Sequence, residues 1–320
     1  MEAWFRLTLQ LVILMLGVHA RAKEGDQLAY DYYELTCPLV RHFVRNEMLS
    51  IFAADVTAPA ALLRLLFHDC QVQGCDASIL LDSRDSEIHA SRNFGIRKLE
   101  AISKIKSMLE ATCPGQVSCA DIIALAATNS IALSGGPLIQ IPLGRKDATN
   151  SSSYQADAFL PSASINVDQL LRIFMGKGMD LEESVAILGA HTLGTGHCIN
   201  IVDRLYKPKP TDNMNVDFQL AMRAVCPNQV PNINTTLLPN DATPTIFDNA
   251  YFWGILKGKG LFSIDSSVST DHRTMMIASL FAADQNHFFK AFSSAFVKLS
   301  TSNVLTGNMG EVRKRCDQVN

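Results

Sequence analysis

The chain has 320 residues, of which 48% are hydrophobic and 18% are charged, and its formal net charge is −3. This composition suits a globular protein with a substantial core, folded as one domain or as two closely packed lobes. The slightly acidic balance argues against nucleic acid or an anionic membrane surface as a partner.

The N-terminal segment 1–22 has the organisation of a secretory signal peptide. Arg6 supplies a short basic start, an apolar stretch extends from Leu7 to Val18, and small residues around Ala20 offer a cleavage site. This stretch is short for a membrane span, although a retained anchor is the alternative. We therefore predict a secreted mature chain, residues 23–320, with an approximate cleavage position.

Helical patterns dominate the mature chain. Pro59 suits a first helical turn, Ser118 opens a capping box, and Gly178 follows the end of a short amphipathic segment. The predicted helices are 38–54, 60–70, 122–133, 166–177, a helix from 180 that carries His191, 249–256, 274–281 and 284–299. Residues 138–141 predict a short β-ribbon, and the polar stretch 227–241 predicts a long surface loop.

The mature chain contains eight cysteines: Cys37, Cys70, Cys75, Cys113, Cys119, Cys198, Cys226 and Cys316. An even number behind a signal peptide predicts four disulfides, but spacing alone allows about 105 pairings. A local Cys70–Cys75 pair is feasible because Gly74 permits a tight turn. A zinc site is disfavoured because the chain has no CxxC pair.

Two histidines in apolar segments are the main candidates for chemistry. Arg64 and His68 are four residues apart, so they share one face of a predicted helix whose neighbouring residues are apolar. Burying a cation beside a titratable base is costly unless both act on something between them. His191 lies in a second apolar segment, and the two histidines suggest a flat cofactor held between them. A hydrolase using His68 and Asp69 is disfavoured because no nucleophile motif such as GxSxG is present.

These motifs resemble those of the secreted plant haem peroxidases (class III). The resemblance covers nearly all of the chain after the first two dozen residues. It rests on the order and spacing of the cysteines and on RLLFHDC, GCDASILLD, VSCADIIALAA, PLGRKD, GAHTLG and TPTIFDNAYF.

The resemblance implies a mainly α, two-lobed haem peroxidase-like helical fold with the haem between the lobes. The distal lobe would be about 23–165 and the proximal lobe about 166–300, with a C-terminal segment tied back by Cys316. The implied disulfides are Cys37–Cys113, Cys70–Cys75, Cys119–Cys316 and Cys198–Cys226.

On the distal side, the resemblance implies that His68 is the general base for H₂O₂. Arg64 would stabilise the charge that develops on the peroxide, and Phe67 would narrow the pocket. Asn93 matches the asparagine that holds the second nitrogen of His68, and Glu87 matches the glutamate that supports it. The pattern departs from the family nearby, because Arg92 replaces a proline or small residue and the chain is about one residue short after Asn93.

On the proximal side, the resemblance implies that His191 is the axial ligand of the haem iron and that Asp265 is its carboxylate partner. Pro161 matches a proline at the exposed haem edge whose carbonyl accepts a hydrogen bond from phenolic substrates. A proline that ends a loop before the helix at Asn166 is an equally compatible interpretation. Asp121 and Arg145 match a family pair that we interpret as structural.

Two calcium sites are also implied. Oxygen ligands around a small disulfide loop suit Ca²⁺. The distal set is Asp69, Val72, Gly74, Asp76 and Ser78, with Glu87 as a ligand through water. The proximal set is Thr192, Thr243, Ile246 and Asp248 together with either Asn240 or Asp241. We expect the proximal site to be weaker, because the family's first aspartate in that loop falls on Asn240.

Together, the signal peptide and the resemblance imply a secreted, monomeric peroxidase of the cell wall with one haem b and two Ca²⁺ ions. It would reduce H₂O₂ and oxidise small phenolic donors by one-electron steps, and wall polymers are further candidate partners. Asn150 and Asn234 begin glycosylation sequons. The alternative is a haem- and calcium-binding wall protein with weak or lost peroxidase activity, motivated by the irregular region around Asn93 and by Asn240.

Overall fold

The structure of the protein is a computed structural model that describes residues 27–162, 164–208, 212–228 and 235–320. The predicted signal peptide and the sequon at Asn234 lie outside the described residues.

The described residues form a mainly helical fold, as predicted. The α-helices, in chain order, are α1 (Val40–Ala54), α2 (Ala58–Val72), α3 (Leu99–Thr112), α4 (Cys119–Leu133), α5 (Ser153–Phe159), α6 (Val167–Met175), α7 (Leu181–Ala186), α8 (Val202–Tyr206), α9 (Val216–Val225), α10 (Ala250–Leu256), α11 (Ser263–Thr270), α12 (Met275–Ala283) and α13 (Gln285–Ser300). Short 3-10 turns lie at Ser78–Leu80, Glu87–His89, Ser91–Asn93, Ile187–Thr192 and Cys198–Asn200. Among the described residues, no helix combines the length and apolarity needed to cross a membrane.

Two strands form a small antiparallel sheet that the sequence analysis did not predict. They are β1 (Thr195–His197) and β2 (Leu237–Pro239), with Gly196 opposite Leu238. Strand β2 lies in the stretch predicted to be a surface loop, but the Leu238 side chain is buried.

The ribbon predicted at residues 138–141 was wrong. Ile139 and Ile141 are buried while Leu138 is exposed, so the alternation reflects an extended segment against the core. The carbonyl of Ile141 accepts a hydrogen bond from the Arg41 side chain at 2.9 Å instead of from a partner strand. An apolar alternation of this kind does not reveal whether a second strand pairs with it.

The sequence analysis also missed several helices, of which α3 is the longest. Helix α3 begins after Lys98, whose φ of 75° is left-handed, and no side chain caps its first turn. The usual start signal is therefore missing, although one face of the helix packs inward through Ile102, Ile105 and Leu109.

One large buried cluster of hydrophobic side chains extends through both predicted lobes. On the distal side it is built around α2 and α4, whose buried residues include Leu62, Leu66 and Ile123. On the proximal side, α13 contributes Phe288 and Phe292 from one face. This shared core holds α2 and the segment of His191 in one continuous packing.

Four disulfides join the pairs that the resemblance implies: Cys37–Cys113, Cys70–Cys75, Cys119–Cys316 and Cys198–Cys226. The Cys119–Cys316 bond spans 197 residues and ties the C-terminal segment to the start of α4.

Candidate active site

Helix α2 places Arg64, Phe67 and His68 at one edge of the distal core. Arg64 Nε lies 3.1 Å from His68 Nε2, and its Nη2 donates a hydrogen bond of 3.0 Å to the carbonyl of Phe94. The Phe67 ring lies edge-on to the His68 ring, with centroids 5.9 Å apart. The arginine is thus fixed beside the imidazole by a second contact outside the helix.

The 3-10 turn Ser91–Asn93 places the Asn93 side chain behind His68. His68 Nδ1 and Asn93 Oδ1 are 2.6 Å apart, and Asn93 Nδ2 donates a hydrogen bond of 2.6 Å to the carbonyl of Glu87. Because Arg64 can only donate, Nε2 of His68 accepts and Nδ1 carries the proton. Glu87 therefore supports Asn93 through its backbone, whereas its own carboxylate belongs to a separate cluster.

Burial and charge keep His68 neutral. Desolvation is the main cause and the Arg64 guanidinium adds to it, so the pKa of His68 falls to about 3. Burial also lowers the pKa of Arg64, to about 10. At neutral pH the pair is a neutral base beside a cation, which is the protonation state that a general base needs.

The proximal histidine lies on the 3-10 turn Ile187–Thr192, at the end of α7, rather than on the α-helix that we predicted. His191 Nδ1 lies 3.0 Å from Asp265 Oδ1 on α11, and the His191 side chain is 32% exposed. A proton on Nδ1 leaves the lone pair on Nε2, which is the nitrogen free to ligate a metal. This donor set fits a haem iron.

The carboxylate of Asp265 is surrounded by hydrogen-bond donors. The Tyr251 hydroxyl donates a bond of 2.9 Å to Oδ1, and the Phe262 backbone N–H donates one of 2.7 Å to Oδ2. The rings of Tyr251 and Phe262 both lie edge-on to the His191 ring, with centroids 5.7 Å and 5.2 Å away. The imidazole is therefore fixed in orientation by packing as well as by Asp265.

Three buried carboxylates lie close to the Cys70–Cys75 loop. The pKa of Asp69, Asp76 and Glu87 is raised in each case, mainly by burial, and that of Glu87 reaches about 7. Asp69 Oδ1, Ser78 Oγ and Glu87 Oε2 are buried without a hydrogen-bond partner. Orphaned oxygens and mutually repelling carboxylates fit a hard cation such as Ca²⁺.

A second cluster follows His191. Thr192 Oγ1 donates to Asp241 Oδ2 at 2.7 Å and lies 3.1 Å from Asp248 Oδ1. Thr243 Oγ1 lies 3.1 Å from the same oxygen of Asp248, and the carbonyl of Ile246 is 3.5 Å from Thr192 Oγ1. Asp241, one of the two alternatives left open by the sequence, thus accepts a hydrogen bond from Thr192 in this cluster.

The described hydrogen bonds of Asn240 go to Leu193 and Gly194 rather than to the members of this cluster. Its Nδ2 donates a hydrogen bond of 3.0 Å to the carbonyl of Leu193, and its buried Oδ1 has no hydrogen-bond partner. Among the described residues, no group of three or more His, Cys, Asp or Glu side chains has a metal-holding geometry. Both clusters would therefore need hydroxyl and backbone oxygens as well as carboxylates.

The remaining predicted positions are peripheral. Pro161 is half-buried and follows Leu160, whose carbonyl accepts a hydrogen bond from the Arg92 side chain. Asn150 is exposed in the loop before α5. Asp121 and Arg145 form a buried ion pair of 2.7 Å, which agrees with their interpretation as structural.

Sequence reasoning missed two residues at these sites. Tyr251 lies three residues after Asp248 in the motif TPTIFDNAYF. The sequence signal that could have found it is an aromatic residue in a segment already assigned to the proximal side. Arg313 is fully buried, and its Nη2 donates a hydrogen bond of 2.6 Å to the carbonyl of Ala77 in the distal loop. No sequence signal links Arg313 to that loop, which lies 236 residues earlier.

Sequence comparisons with known proteins give matches to peroxidases. The sequence model of the peroxidase family matches residues 44–284. "Peroxidase 29" of Arabidopsis thaliana is 51% identical over 304 residues, which cover 92% of this chain and 90% of the relative. "Peroxidase 57" of the same plant is 39% identical over 298 residues, covering 92% and 93% of the two chains. "Peroxidase 21" is 38% identical over 302 residues, covering 92% of each.

Proposed function

Since the chain belongs to the plant class III peroxidases, we propose that Arg64, His68 and Asn93 are the residues that act on H₂O₂ in its peroxidase activity. His191 is then the axial ligand of one haem b, and small phenols are the donors. The observation that carries this proposal is the 2.6 Å contact between His68 Nδ1 and Asn93, which leaves Nε2 as a base beside Arg64.

His68 moves the proton during the reaction. Its neutral Nε2 would take a proton from one oxygen of H₂O₂ and return it to the other oxygen, which leaves as water. Asn93 keeps the tautomer correct by accepting from Nδ1–H throughout. When bound, haem supplies the redox chemistry of the cycle.

Arg64 supplies fixed positive charge where negative charge develops on the peroxide. Its hydrogen bond to the Phe94 carbonyl holds the guanidinium in place before the substrate enters. Burial makes the charge more effective, because few water molecules remain to screen it. Phe67 packs against His68 and limits the room for larger molecules at this end of the site.

Two Ca²⁺ ions brace the distal and proximal sides. The distal ion is held by Asp69, Asp76 and Ser78 with the carbonyls of Val72 and Gly74, and Glu87 contributes through water. The support is the set of buried oxygens without partners. The proximal ion is held by the second cluster, and the hydrogen bond from Thr192 Oγ1 to Asp241 Oδ2 supports Asp241 as one of its ligands.

Donor oxidation is assigned to the edge near Pro161. Arg92 holds the segment before this proline through the Leu160 carbonyl, and Asp157 accepts a hydrogen bond of 2.9 Å from the Arg92 backbone N–H. The same turn carries Asn93, so the donor edge and the distal base share one support. The Pro161 carbonyl would accept a hydrogen bond from a phenol.

The place of action that we propose is the cell wall, reached by secretion and cleavage within the first two dozen residues. Four disulfides support an oxidising compartment. The exposed Asn150 suits an attached glycan. The protein is assigned as a monomer that meets H₂O₂, small phenols and wall polymers.

A single substitution tests the proposed roles. His68→Leu should slow the reaction with H₂O₂ by about 10²–10⁴-fold, because a general base contributes about that much. Its haem absorption spectrum should be retained, since His191 is untouched. Stopped-flow absorption on the purified secreted protein measures both.

His42→Leu is the matched control, because His42 is exposed on α1 and bonds only locally to Asn46 among the contacts described for it. It should react at the wild-type rate. If His68→Leu also reacts at that rate, His68 is not the base. A wild-type haem spectrum that ignores H₂O₂ would instead favour the wall-protein alternative.

A further inference from the structure

We propose that Tyr251 is a positioning residue that limits the electron donation of His191 to the haem iron by sharing one carboxylate oxygen with it. The inference rests on the proposed function, because it requires His191 to ligate the haem iron. It adds a third member to the pair His191–Asp265.

The geometry places two donors on one acceptor. Asp265 Oδ1 accepts from His191 Nδ1 at 3.0 Å and from the Tyr251 hydroxyl at 2.9 Å. The other oxygen, Oδ2, accepts from the Phe262 backbone N–H at 2.7 Å. The acceptor Asp265 and the donor Tyr251 are both 1% exposed, so the shared carboxylate is shielded from water.

Two donors on one oxygen weaken each other. Each hydrogen bond draws negative charge from Oδ1, so the Tyr251 bond reduces the pull of Asp265 on the His191 Nδ1 proton. A weaker pull leaves the imidazole more neutral and less electron-donating, because outer partners raise the basicity of a ligating histidine. Tyr251 therefore limits the electron donation that Asp265 promotes.

A purely structural role would look the same in the static contacts, but the chain contains a matched comparison. Tyr33 is also buried, and its hydroxyl donates a bond of 2.7 Å to the buried Asp121. Asp121 pairs with Arg145 rather than with a histidine. Removing either tyrosine hydroxyl leaves a buried carboxylate with one donor fewer, but Tyr251 alone shares its acceptor with the proposed iron ligand.

The experiment uses the full mature chain loaded with haem and compares Tyr251→Phe with Tyr33→Phe and Asp265→Asn. The readouts are the midpoint potential of the ferric/ferrous couple and the iron–histidine stretching band of the ferrous protein. Tyr251→Phe should lower the potential and raise the stretching frequency, because Asp265 then pulls harder on His191. Asp265→Asn should shift both readouts in the opposite direction, and Tyr33→Phe should move neither.

Equal readouts for Tyr251→Phe and Tyr33→Phe would overturn the inference, as would shifts of Tyr251→Phe and Asp265→Asn in the same direction. If Tyr251→Phe does not fold or retain haem, 3-fluorotyrosine at position 251 keeps the shape and donates more strongly. This analogue should raise the midpoint potential and lower the stretching frequency. If neither readout shifts, the inference is overturned. A wild-type ferrous protein without an iron–histidine band would overturn the proposed ligand itself, which is a distinguishable result.

Discussion

At the scale of single residues, the His68 imidazole owes its reactivity to its surroundings. Desolvation and Arg64 disfavour its charged form, while Asn93 fixes the position of its one proton. The sequence motif supplies the residue types, but an Arg-x-x-x-His pair on an arbitrary helix would have neither the burial nor the amide partner. The low pKa therefore comes from tertiary packing around α2.

This low pKa has a consequence for pH dependence. The reactive form of His68 is neutral, so it persists from neutral pH down to near its pKa of about 3. The rate constant for the reaction with H₂O₂ should stay level between about pH 7 and pH 4 and fall only as the pKa is approached. Stopped-flow measurements across this range test the expectation. A fall with its midpoint near the ordinary histidine value of about 6.5 would contradict it.

The free energy of unfolding should also depend on pH through the His68 side chain. Between the two pKa values, His68 binds a proton in the unfolded chain but not in the folded one, so its contribution to stability is present above pH 6.5 and is lost as pH falls towards 3.

At the scale of elements, the proximal ligand depends on a short and tightly packed turn. The 3-10 turn Ile187–Thr192 ends α7 and lies against the aromatic side chains of α10 and α13. Gly189 in this turn has no room for a side chain, because a Cβ there would lie 2.3 Å from Cε2 of the Phe288 ring. The close approach fixes where His191 points.

Gly189→Ala should therefore destabilise the protein and reduce its haem content. Phe288 is fully buried and cannot move aside easily, and overpacking of this kind costs about 1–3 kcal/mol. Gly254→Ala is the matched control, because a Cβ at Gly254 in α10 would meet nothing within 4 Å. It should instead gain about 0.5–1 kcal/mol from the helix preference of alanine. Equilibrium unfolding of both variants measures the difference, and equal losses would exclude the steric explanation.

The element scale also shows where sequence patterns fail. The helices predicted from residues 166 and 180 are present as α6 and α7, and each begins with a capping box. At Ser118, where the sequence analysis predicted such a box, the side chain accepts from the Asp121 backbone N–H but the reciprocal bond is not among its described contacts. The 3-10 character around His191 was not predictable, because apolar periodicity does not separate an α-helix from a short tighter turn. Strand β2 was missed because three residues are too few for an alternating pattern to be recognised.

At the scale of the whole molecule, the two predicted calcium clusters differ in charge and burial. The distal cluster contains three carboxylates with little solvent exposure, at Asp69, Asp76 and Glu87. The proximal cluster contains two, at Asp241 and Asp248, which are less deeply buried. The hydrogen bond from Thr192 places the Asp241 carboxylate beside this cluster, although Asn240 takes the position of the family's first aspartate. The distal cluster still has one carboxylate more.

Mild chelation should accordingly remove one Ca²⁺ before the other, with the proximal ion leaving first. Metal analysis after stepwise chelation should show an intermediate stage with one Ca²⁺ per chain. In Asp241→Asn the first Ca²⁺ should be lost at a lower chelator concentration, because the variant lacks one carboxylate. Asp82→Asn is the control, since the Asp82 side chain is 76% exposed. Two ions that leave together, or both resist chelation, would contradict the predicted order.

The C-terminal segment contacts the loop of the distal calcium cluster through Arg313. Arg313 is held near the Cys119–Cys316 disulfide by a hydrogen bond to the carbonyl of Cys316, and it also reaches the Ala77 carbonyl. Its buried guanidinium lowers the pKa of Asp69, against the larger effect of burial. The last residues of the chain thus support a loop near its beginning.

The sequence by itself determined the family, the mainly helical class, the even set of cysteines and the identity of the chemical groups. These follow from residue types at fixed local spacing, such as Arg64 with His68. The tertiary structure alone showed that Asp241 accepts a hydrogen bond from Thr192, that the Glu87 carbonyl accepts one from Asn93, and that Tyr251 shares Asp265 with His191. Each of these depends on which atoms of distant segments meet after packing, and local spacing along a chain does not encode that.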